Sequence, residues 1–122
     1  MDKRSSGSAA TIRWFTQAIL GIMLVVLLAI HLIVNHWVAP QGLLTYADVI
    51  RYYDVTGVIW METAFLIVVT VHSLLGMHSI LLDLNLRPRL TGFFTAALVL
   101  AGGIAITYGI WLIHTIVLLS VS

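Results

Sequence analysis

Apolar positions in this chain run almost unbroken through three long stretches, about Trp14 to Val38, Gly57 to Leu82 and Phe93 to Leu119. Each exceeds the ~20 residues that a helix needs to cross a bilayer. The pattern predicts an all-α fold: one membrane anchor domain, residues 1–122, with spans at about 14–38, 57–82 and 93–119. The stretch after Asp2-Lys3-Arg4 superficially resembles a signal peptide. Its apolar run is far longer than the ~7–15 residues of such peptides, so it reads as a retained helix.

The polar interruptions set the topology. Lys3, Arg4 and Arg13 precede the first span, Arg87 and Arg89 join the second to the third, and the other connection carries Arg51 alone. The positive-inside rule then predicts an inside N-terminus and an outside C-terminus. In the outside connection, Thr45-x-x-Asp48 has the form of a capping box opening a short interfacial helix, with Tyr46, Tyr52 and Tyr53 suited to the headgroup layer. The inside connection, Asn85-Leu86-Arg87-Pro88-Arg89, is a turn whose proline is expected to stop the second span. Along the third span, Ala97, Ala101, Ala105 and Gly109 recur every fourth residue beside Gly102 and Gly103. Such a ladder of small residues admits another helix at close range.

Composition adds exclusions. The chain is 61% hydrophobic and 9% charged, against a charged share of roughly a quarter in soluble domains. A net charge of +1 with no basic run gives nucleic acid no footprint. With no cysteine, the chain can supply no thiolate to an iron–sulfur cluster, so any such cluster belongs to a partner.

The candidate chemistry lies inside the spans, at His31 and His72. An ionisable side chain in hydrocarbon marks a functional site by default. Two uses are open: axial ligation of haem iron, and hydrogen bonding between helices of neighbouring chains. The surroundings favour the first. Gln17, Gly21, Leu28, His31 and Asn35 fall near one face of the first span. Glu62, His72, Gly76, Ser79 and Asp83 form a comparable stripe on the second, where Gly76 removes a side chain one turn from His72 that would obstruct a flat macrocycle. His31 is 18 residues past Arg13, ~27 Å from the inner edge, and His72 is 11 residues before Asp83, ~16 Å from it. An offset of ~10 Å makes a single shared haem the poorer arrangement, so each histidine needs a ligand from another subunit and two haems are expected. A six-coordinate iron has no open position and suits one-electron transfer. His36 reads as an interfacial residue or a propionate contact, His78 as a packing residue or a contact with a partner, and His114 as interfacial. Glu62, near the outer end of the second span, is either a buried proton acceptor or a carboxylate held at the headgroup boundary or by a partner's base.

The stretch His72-Ser73-Leu74-Leu75-Gly76-Met77-His78-Ser79-Ile80-Leu81-Leu82-Asp83 resembles the second helix of the cytochrome b membrane anchor subunits of succinate dehydrogenase, where H-x-x-x-G-x-x-x-x-x-x-D recurs. Trp14-Phe15-Thr16-Gln17, leading through Gly21 to His31 and Asn35-His36, is similar to the first helix of anchors that carry two haems. The resemblance implies that His72 is a haem ligand, that His31 and Asn35 belong to a haem environment, and that Asp83 borders a quinone pocket. Two positions depart from the family's pattern: Ala18 stands where many relatives have arginine, and Leu84 where quinone-binding anchors often have tyrosine. The companion anchor then supplies most of the quinone site.

The resemblance further implies two haem b groups, each shared with a second membrane anchor subunit, and a quinone, menaquinone or ubiquinone, as electron acceptor. A flavoprotein subunit oxidising succinate and an iron–sulfur subunit complete the complex, in the cytoplasmic membrane of a prokaryote and among its lipids. The chain alone is a non-catalytic anchor. The rival readings are an anchor of a quinol:fumarate reductase and a haem-free membrane assembly or transport subunit.

Overall fold

A computed structural model of the chain describes residues 3–43 and 45–121, without the side chains of residues 3–6, 120 and 121. Four helices follow in order: α1 (Lys3–Val38), α2 (Tyr46–Tyr53), α3 (Thr56–Asp83) and α4 (Pro88–Val121). The three long helices contain the three expected spans, and each is long and apolar enough to cross a membrane. The topology expectation rests partly on Lys3 and Arg4, whose side chains lie outside the described residues.

Helix α3 is central, with α1 and α4 each packed along it and the short α2 lying against α4 and α3. The α1–α3 pairing is antiparallel and keeps one register over most of its length. Gln17 faces Gly76, Gly21 faces His72 and His31 faces Glu62, so every step up α1 is matched by an equal step down α3. On α1 the half-buried positions Gln17, Leu20, Gly21, Leu24, Leu27 and His31 form one stripe, which Asn35 continues. Leu28 was expected on this face but is 43% exposed, and Leu27 takes its place in the seam.

The other seam uses a different device. A Cβ on Gly102 would fall 2.4 Å from a methyl of Leu74, and one on Gly109 2.5 Å from a methyl of Leu66. These two glycines therefore let α3 leucines lie against the α4 backbone, as close packing between membrane helices requires. The expected ladder is thereby divided. Gly102 and Gly109 serve contact within the chain, while Ala97, Ala101 and Ala105 stay exposed on another side of α4.

The connections refine two expectations. The Thr45 capping box forms: the Asp48 N–H donates to the Thr45 hydroxyl at 3.2 Å, and the Thr45 N–H donates to the Asp48 carboxylate at 2.9 Å. Proline does not stop the second span, however. Helix α3 ends at Asp83, two residues before Asn85 takes a φ of 51°, the left-handed conformation that often closes a helix. Pro88 instead opens α4, where its missing N–H costs no intrahelical bond.

Because the room around the two neighbouring glycines differs, Gly102→Ile is expected to destabilise the α3–α4 seam by about 1–3 kcal/mol through overpacking. Gly103→Ile, at a position where a Cβ meets nothing within 4 Å, should leave stability within about 0.5 kcal/mol of the parent. Denaturant unfolding of the chain in detergent micelles measures both.

Candidate functional site

The first span's polar end is drawn together by one carboxylate. His31 Nδ1 lies 2.8 Å from Glu62 Oε1, and the Tyr52 hydroxyl donates to that same oxygen at 2.5 Å. Asn35, one turn beyond His31, places Nδ2 at 3.0 Å from both the His31 carbonyl oxygen and its Nε2. Phe65, nearly one turn below Glu62, stacks on the imidazole with ring centroids 5.1 Å apart and planes 20° from parallel. Three helices thus meet here: α1 brings His31 and Asn35, α2 brings Tyr52, and α3 brings Glu62 and Phe65.

Tyr52 was expected in the headgroup layer. It is instead 2% exposed, the largest fully buried side chain among the described residues, beside the equally buried Val58. Burial, reinforced by its bond to Glu62, pushes the Tyr52 hydroxyl well above its ordinary value, so it stays protonated and acts as a donor. Tyr53 is raised too, by burial first and then by the nearby Glu62 carboxylate. Tyr46 is 63% exposed. Glu62 also borders a groove of about 290 Å³ between α3 and α4, lined by Tyr53, Leu66, Gly109 and Ile113. Within the chain, Glu62 is contacted by His31 and Tyr52.

His72 occupies a second polar level on the same seam. A Cβ on Gly21 would come within 3.3 Å of its ring, so glycine admits the imidazole against the α1 backbone. Gly76 makes room too, but for a different group: the Gln17 amide lies 3.1 Å from where its Cβ would be. His72 Nδ1 and Gln17 Oε1 are the buried side-chain polar atoms without a hydrogen-bond partner among the described residues. Ten residues of α1 separate the level of Gly21 from that of His31, an offset of ~15 Å between the histidines.

The lower part of the expected α3 stripe leaves the seam. Ser79 is exposed and donates its hydroxyl back to the Leu75 carbonyl at 3.0 Å, and Asp83 is exposed at the last turn of α3. His36 and His114 are exposed, while His78 lines a cleft of about 350 Å³ with Arg13, Leu74 and Leu98. Among the described residues no group of three or more His, Asp or Glu side chains could hold a metal ion.

Three membrane-length helices with polar groups gathered at two levels of one helix seam define a multi-pass integral membrane protein. Neither a family model nor a solved structure matches the chain. It is 30% identical over 103 residues to the succinate dehydrogenase hydrophobic membrane anchor subunit of Archaeoglobus fulgidus, covering 84% of this chain and 87% of the relative. The chain belongs to the family of succinate dehydrogenase membrane anchors.

The observed register yields a direct check. Leu24 and Val69 fall level with each other on the two facing stripes, and the chain has no native cysteine to interfere. The pair Leu24→Cys and Val69→Cys is expected to crosslink within one chain under mild oxidation in membranes, whereas Leu28→Cys with Val69→Cys should not. Gel mobility after proteolysis of the connecting segment reads the outcome.

Proposed function

We propose that this anchor holds haem b at two levels through His31 and His72, within a succinate dehydrogenase that passes electrons from its iron–sulfur subunit to membrane quinone. The observation that carries the reading is the placing of two imidazoles on one seam between membrane-length helices, ~15 Å apart along it. Such a separation favours two half-sites over a shared site. Each is completed by a ligand from the second membrane anchor subunit, and a flavoprotein subunit supplies the succinate chemistry.

The side chains suit this use. Asn35 Nδ2 faces His31 Nε2, so that nitrogen carries a lone pair that an iron can take once the amide turns aside. At the other level, His72 Nδ1 has no acceptor and Gln17 Oε1 has no donor among the described residues, although Gly21 and Gly76 admit both groups to the same seam. An acceptor for the Nδ1 N–H would fix the orientation of the His72 ring. Haem bound by two histidines supplies one-electron transfer with no open position at the metal. The work of this chain is to hold the imidazoles, fix their tautomers and exclude water.

The remaining assignments follow the same reading. The N-terminus lies inside and the C-terminus outside, in the cytoplasmic membrane of a prokaryote, with Arg13, Arg87 and Arg89 at the inner face. Asp83, exposed at the inner end of α3, borders a quinone pocket built mainly by the companion anchor. The exposed Ala97, Ala101 and Ala105 give a helix of that companion room to approach.

A reduced-minus-oxidised spectrum of the purified complex tests the proposal. Two b-type contributions are expected, one lost in His31→Ala and the other in His72→Ala. A complex without b-type bands would sink the haem assignment and leave the family's anchoring role intact.

A further inference from the structure

We infer that Glu62 is the positioning residue for His31: its carboxylate fixes the imidazole proton on Nδ1 and leaves the Nε2 lone pair available to an iron. The inference rests on the proposed ligation by His31 and deepens it. The Asn35 amide determines which ring nitrogen carries the proton. A backbone carbonyl only accepts, so the Asn35 atom 3.0 Å from the His31 carbonyl oxygen is the NH₂ group. That same nitrogen lies 3.0 Å from His31 Nε2, which must therefore accept. A neutral imidazole carries one ring proton, and it is then on Nδ1, facing Glu62 Oε1 at 2.8 Å.

The carboxylate is itself held. Tyr52, fixed by burial on α2, donates to the same Oε1, and Phe65 closes one face of the imidazole. On the α4 side, Gly109, Leu112 and Ile113 offer no competing donor. The ring is constrained at one edge by Glu62, on one face by Phe65 and at the other edge only by the Asn35 amide. That amide is the part that can give way.

A carboxylate accepting the remote N–H of a metal-bound imidazole raises the basicity of the ligating nitrogen. The more basic ligand favours oxidised iron. Glu62 should accordingly hold down the potential of the haem bound by His31 and leave the other unaffected. Tyr52 acts in the opposite sense, because its hydroxyl draws charge from the oxygen that His31 uses.

Redox titration of the b-type bands in the purified whole complex tests this role. Glu62→Gln is expected to retain both bands and move one potential upward. Tyr52→Phe is expected to move that same potential downward. Potentials unmoved in both variants would overturn the inference, as would shifts of one sign, which a packing defect gives. Nitrogen-15 resonances of histidine in the full chain, reconstituted in bilayers without haem, give a second readout. A bare Nε2 and protonated Nδ1 at His31 are expected, and a proton on Nε2 overturns the lock whether or not the complex binds haem. Absence of b-type bands from the parent complex would instead overturn the ligation reading.

Discussion

A carboxylate carried on an apolar helix must find donors inside the protein, because the lipid around it has none. Glu62 meets that requirement by drawing on two other helices, and the half of the fold around it follows from this. Tyr52 is buried because its hydroxyl is needed at Glu62 Oε1, which fixes α2 against α3. His31 is turned toward α3 by the contact of its Nδ1 with the same oxygen, which fixes the α1–α3 register. Loss of the shared acceptor would strand the buried Tyr52 hydroxyl, at about 1–3 kcal/mol, and remove the partner of the part-buried His31. The arrangement acts chiefly as a specification of geometry, since burying charge has its own desolvation penalty.

Helix α4 is held by other means. Its contact with α3 depends on Leu66 and Leu74 reaching the backbone at Gly109 and Gly102. In a bilayer, apolar area alone does not drive two helices together, so closeness of approach has to supply the attraction. A polar seam and a close-packed seam therefore flank the same central helix. Much of α1 and α4 remains apolar and open, as suits surfaces that meet lipid or another membrane subunit.

The three spans were legible because twenty or more apolar residues in succession have few other uses. The Thr45–Asp48 cap was legible because it is local. Tyr52 was not, since a tyrosine near a membrane boundary has the same composition whether it points to headgroups or inward. The turn at Asn85 was hidden by the nearby Pro88, a stronger helix punctuator whose part here is to begin α4. Ser79 and Asp83 shared the helical spacing of His72, but spacing does not say where a neighbouring helix stops. The meeting of His31 with Glu62 did leave a trace. Gln17, Gly21 and His31 have the same intervals along α1 as Gly76, His72 and Glu62 have when α3 is read backwards.

That mirrored spacing ties the two polar levels into a single ruler. A residue inserted between Gly21 and His31 would rotate everything beyond it by ~100° about the helix axis, carrying His31 off the seam while Gly21 still met His72. Side chains from Ile22 to Ile30 can therefore change much more freely than their number. Divergence in this interval should show as substitution without change of length, because an indel in α3 would restore the level of Glu62 but turn it off the seam as well.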